Sequence, residues 1–116
     1  MKIIRTQTHI SIDELKQLAK VRFGILVKAV VDIKKESMAV DAEFHADQEQ
    51  ALIADGSSSM DLWGINLYPE QYGAEGWIEF DSMINLKPHL NNRSRGVEDQ
   101  VVRQKIAEIV NQLVTA

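Results

Sequence analysis

Val101, Val102, Ile106, Ile109, Val110, Leu113 and Val114 recur at i, i+4 and i+7 spacing, which predicts a helix with one apolar stripe. Such a stripe has to be buried against another layer, so the segments that precede it decide the fold class. Those segments alternate with period two. From Leu26 to Ile33, Val27, Ala29, Val31 and Ile33 share one face, with Lys28 and Asp32 among the residues of the other. After the polar turn Lys34-Lys35-Glu36, the residues Met38, Val40 and Ala42 alternate with Ala39, Asp41 and Glu43, which predicts the antiparallel return of a hairpin. Leu62 to Tyr68 and Trp77 to Leu86 read as two further strands, joined by a loop that Pro69 opens and that holds Gly73 and Gly76.

Two more helices fit between the strands. Ser11 and Glu14 form a capping box, Ile10 and Leu15 have staple spacing, and Gly24 supplies a stop, so a helix is expected over 12–23. A short helix is expected from Gln48 to Asp55, with Asp47 as its cap and Gly56 as its stop. With a strand at Lys2 to Thr6, the order is β-α-β-β-α-β-β-α. The expectation is one α+β domain over residues 1–116, an antiparallel or mixed sheet with the helices packed on one face.

A chain of 116 residues supports one hydrophobic core. With no cysteine, there is no disulfide, thiolate nucleophile or Cys-bearing metal site. A net charge of −4 argues against a broad grip on nucleic acid, for which a basic face is needed. No apolar run approaches the ~18 residues of a membrane span. The opening Met1-Lys-Ile-Ile-Arg-Thr lacks the apolar core of a secretory signal, so a cytoplasmic setting is expected.

Chemistry is most concentrated in the two strand-like segments of the middle. On the second, Trp77, Glu79, Asp81, Met83 and Asn85 are expected on one face and Ile78, Phe80, Ile84 and Leu86 on the core face. On the first, Trp63, Ile65 and Leu67 are expected in the core, with Asn66 and Tyr68 on the more exposed side. Arg93 and Arg95 sit in the turn-rich Asn91-Asn-Arg-Ser-Arg-Gly96, ahead of a helix N-terminus where free N–H groups favour an anion. The same two arginines suit pairing with Glu79 and Asp81, which would make all four structural. Glu43, His45, Glu79 and Asp81 supply the residue types of a metal site, although His45 has no second His at ligand spacing.

Trp63-Gly-Ile-Asn-Leu-Tyr-Pro69, Ile78-Glu-Phe-Asp-Ser-Met-Ile-Asn85 and Asn92-Arg-Ser-Arg-Gly-Val97 resemble segments of an uncharacterised family of small bacterial proteins, a domain of unknown function. Arg22-Phe-Gly24 and Val27 to Asp32 are similar as well, so the resemblance spans nearly the whole chain. It implies no activity, cofactor or catalytic residue.

The residues alone support two readings. One is a small binding or interaction module in which Asn66, Tyr68, Glu79, Asp81, Asn85, Arg93 and Arg95 recognise a small anionic molecule or a protein partner, with no cofactor. The other is a metal-assisted hydrolase using Glu43, His45, Glu79 and Asp81. A homodimer is compatible with either, and no nucleic-acid or membrane partner is expected. Whether the chain is an enzyme depends on which of these side chains converge.

Overall fold

The β-branched run Val27–Asp32 (β3) is the central strand of the fold, seen in a computed structural model that describes all 116 residues. Around it, in chain order, stand β1 (Lys2–Ile4), β2 (Ile10–Ser11), α1 (Ile12–Arg22), β4 (Ser37–Val40), α2 (His45–Ala54), β5 (Leu62–Leu67), β6 (Ile78–Glu79), α3 (Gln100–Leu113) and β7 (Val114–Thr115). Five of the strands form one antiparallel sheet in the order β1-β4-β3-β5-β6. The remaining two, β2 and β7, pair in parallel through Ile10 with Val114 and Ser11 with Thr115. The class is α+β, as the alternation predicts.

The two long helices lie on one face. Leu15 and Ala19 of α1 and Ile106, Ile109, Val110 and Leu113 of α3 close over Val27, Ala29, Val31, Met38, Val40, Trp63, Ile65 and Leu67. The short helix α2 takes the opposite face, where Leu52 packs on Val30, Ala39 and Leu62. This second layer departs from the expected packing of the helices on one face, and it covers the even positions of β3. Val30 is fully buried, and Asp32 is 1% exposed because its carboxylate accepts from the N–H groups of Lys34 and Lys35 and from the Ser57 hydroxyl. Asp32 therefore fixes the β3–β4 turn, in which Glu36 takes a left-handed φ of 54°.

Helix α1 starts as expected, with Ser11 Oγ accepting from Glu14 N at 3.1 Å. Its end is also as expected, with Gly24 at φ 91° donating to Ala19 O. Helix α2 differs. It begins at His45, not after Asp47, because two residues of its first turns are anchored to the sheet: His45 Nε2 donates to Ile65 O at 2.8 Å and Gln48 Nε2 to Lys28 O at 2.6 Å. Asp47 lies exposed inside the first turn and caps nothing.

The largest departure follows Trp77. Only Ile78 and Glu79 pair as a strand, and the chain then leaves the sheet for single 3-10 turns at Met83–Asn85 and Pro88–Leu90. The alternation along residues 77–86 therefore does not sort them onto two sheet faces: Asn85, expected beside Glu79 and Asp81, is fully buried, whereas Leu86, expected in the core, is 40% exposed. The physical reason is local. The Asn85 side-chain oxygen accepts from Gly64 N at 2.8 Å and its amide donates to Gly64 O at 3.0 Å, so a side chain satisfies the edge of β5 where strand pairing has ended. Ser82 fills the space above Gly64, and a Cβ there would stand 2.5 Å from both its Cβ and its Oγ.

Gly64→Ala is expected to lower stability by about 2 kcal/mol through overpacking. Gly76→Ala, whose Cβ meets nothing closer than 3.8 Å, is expected to stay within about 0.5 kcal/mol of the parent. Urea titration checks both; equal midpoints for the two variants would contradict the close approach of Ser82.

Candidate functional site

Asn66 on β5 stands in register with Glu79 on β6, and the pair forms a polar seam at the sheet edge. Asn66 Nδ2 donates to Glu79 Oε1 at 2.8 Å and more distantly to Asp81 O at 3.4 Å. Tyr68 OH donates to the same Glu79 oxygen at 3.1 Å. Desolvation, aided by that bond and by the charges of Glu79 and Asp81, raises the Tyr68 pKa above its ordinary value, so the phenol keeps its proton and remains a donor. One turn further, Arg95 Nε donates to Asp81 Oδ1 at 2.7 Å, which is one of the pairings expected between the arginine loop and the carboxylates.

The second expected pairing, of Arg93 with a strand carboxylate, is absent. The Arg93 side chain makes no ion pair or hydrogen bond; its backbone N–H donates to Glu98 Oε2 at 2.8 Å. At the N-terminus of α3, Asp99 caps the helix by accepting from Val101 N at 2.8 Å. The loop is held instead by Asn92, which sequence reasoning left out. Its amide donates to Asn85 O and Gly96 O, both at 2.7 Å, and its oxygen accepts from Glu98 N at 2.8 Å.

Two cavities flank the seam. The larger, about 690 Å³, borders Tyr68, Glu79, Phe80, Glu98 and Arg103. Glu79 accepts there from Asn66 and Tyr68, Glu98 accepts from Arg93 N, and Arg103 stacks at 4.4 Å on the Phe80 ring, so two carboxylates face one cation. The smaller, about 230 Å³, borders Lys28, Phe44, His45, Asn66, Asp81 and Arg95. Here two cations face one carboxylate. Lys28 has no carboxylate partner, and Arg95 spends only Nε on Asp81, leaving its terminal amino groups free. Asn66 is 7% exposed, and its side-chain oxygen has no hydrogen-bond partner.

The backbone adds to this cavity. Phe44 occupies the N-cap of α2; its carbonyl accepts from Asp47 N at 3.2 Å, but its side chain caps nothing, so the N–H groups of His45 and Ala46 at the positive end of the helix dipole have no partner. His45 itself is buried and held by Ile65 O. Desolvation lowers its pKa below 6.5, against the opposing pull of the Ile65 bond, so the ring is neutral at physiological pH. Its Nε2 carries the proton given to Ile65, which leaves Nδ1 as an acceptor.

His45 and Asp81 thus border one cavity, while Glu79 is bonded to Asn66 and Tyr68, and Glu43 is exposed outside the cavity. The four do not assemble as the expected metal centre. Nowhere in the protein do three or more His, Cys, Asp or Glu side chains come together as a ligand set. Lys28 and Phe44 were missed because their roles are tertiary. Lys28 was legible only as a lone cation in a β-branched strand, and Phe44 as an aromatic just ahead of a helix whose start was placed too late.

The fold and seam define a small α+β domain with a polar edge, and no helix is long and apolar enough to cross a membrane. Residues 2–113 match the family described as "Protein of unknown function (DUF5674)", and the chain belongs to that family. No curated protein and no solved structure matches it.

The depressed His45 pKa has a sign that stability measurements read directly. Below 6.5 the unfolded chain binds a proton that the folded state resists, so stability present above 6.5 is lost as pH falls through the folded pKa. His45→Gln, which retains a donor for Ile65 O, is expected to flatten that limb of a urea-midpoint profile between pH 8 and 5. Parallel profiles for the two proteins would contradict a neutral, buried His45.

Proposed function

We propose that this protein is a binding module for a small anion, held in the 230 Å³ cavity at the N-terminus of α2. The observation that carries the reading is that cations without a carboxylate to match them line one cavity with an uncapped helix end. Lys28 without a carboxylate partner, the free edge of Arg95 and the uncapped His45 and Ala46 N–H groups border the same space. A helix N-terminus with two side-chain cations is the arrangement in which an anion gains both fixed dipoles and charge-assisted hydrogen bonds.

Asp81 has a supporting part. By accepting from Arg95 Nε at 2.7 Å it orients the guanidinium and leaves its terminal N–H groups available. The larger cavity has the volume of a small-molecule site, but Glu79 and Glu98 set two carboxylates against the single Arg103 on its wall, which disfavours an anion. Of the arginine loop, Arg95 carries the proposed binding and Arg93 does not.

Binding of inorganic phosphate or sulfate is expected to raise the thermal midpoint beyond the effect of chloride at equal ionic strength, because a ligand selective for the folded state stabilises it. Lys28→Gln and Arg95→Gln are each expected to weaken binding about 10- to 100-fold, the loss of one charge-assisted hydrogen bond. Isothermal titration of the three proteins checks this. Midpoints that follow ionic strength alone, identically in all three, would sink the proposal.

A further inference from the structure

The residue at the N-cap of α2 violates two local preferences at once. The side chain of Ser, Thr, Asp or Asn at that position would satisfy a free N–H of the helix, and the Phe44 side chain satisfies none. It is also 56% exposed, so it does not repay the missing cap by burial in the core. Met83, on another wall of the same cavity, is 62% exposed. Phe23, at the end of α1, places its ring 5.2 Å from Lys28 Nζ, and the Phe44 ring stands 5.9 Å from the same nitrogen. Cationic Lys28 and Arg95 and exposed apolar Phe44 and Met83 therefore line one cavity, and Phe23 adds a further ring against Lys28. Local rules broken together at a cavity are the expected mark of a site shaped for a ligand rather than for stability.

We infer that the ligand is an amphipathic small anion: a phosphate monoester or carboxylate whose head meets Lys28, Arg95 and the α2 N–H groups, and whose aromatic or short aliphatic body covers Phe44 and Met83. This rests on the anion reading above and narrows it. The volume of about 230 Å³ admits the head and the first carbons, and the exposed rings take the remainder outside the cavity. An apolar rim excludes hydrated inorganic ions as the preferred occupant, since their binding leaves Phe44 and Met83 in water.

The test compares inorganic phosphate with phenyl phosphate, and acetate with benzoate, by titration calorimetry on the full chain at fixed ionic strength. The aryl member of each pair is expected to bind at least about 10-fold tighter. Phe44→Ala is expected to abolish that preference while leaving phosphate binding in place. Phe44→Asp is expected to lose all four ligands while its thermal midpoint stays level or rises, because the new carboxylate caps the helix from within. Equal affinity within each pair, or an aryl preference that survives Phe44→Ala, overturns the amphipathic ligand and leaves the anion reading standing. No binding by any of the four to the parent protein overturns both.

Discussion

The hydrogen bonds between the Asn85 amide and the backbone of Gly64 decide what the edge of this sheet looks like. Strand β5 needs partners along its outer side. At Asn66 and Leu67 it finds them in β6, and at Gly64 it finds them in one side chain. Had the second strand continued, Asp81 and the residues after it would have been committed to a ladder. Because Asn85 substitutes for that ladder, the chain is free to fold back across the edge, and the same amide also donates to Arg95 O at 2.9 Å. One buried carboxamide thus ends a strand, seats Ser82 over Gly64 and ties down the loop that delivers Arg95 to the cavity.

How much of this was legible depended on whether a pattern had one cause or several. The start of α1 was readable because Ser11 and Glu14 act through neighbouring backbone, although only half of the expected box forms: the Glu14 carboxylate pairs with Lys2 instead of turning back. The stripe of α3 was readable because a single face governs it, yet it was drawn one residue too wide at each end. Val101 is 76% exposed, and Val114 belongs to β7. The alternation from Trp77 to Leu86 misled because strand pairing, a side-chain clasp and two tight turns produce it in succession. No period distinguishes these causes.

For the site, the Arg95 and Asp81 pairing was foreseeable from short sequence separation and opposite charge. Lys28, Phe44 and Asn66 line one cavity only because α2 crosses the sheet face opposite the two long helices, where the sequence reading placed no helix. The helix start shifted for the same reason, since His45 and Gln48 read as ordinary polar residues until strand carbonyls are brought within reach.

The short parallel pair of β2 with β7 joins residues 10–11 to residues 114–115, so the fold is nearly a closed ring of chain. Closing a loop of that length carries an entropy cost that grows only with the logarithm of its size. Because β2 runs directly into α1 and β7 directly follows α3, four paired residues tie the start of one core-covering helix to the end of the other.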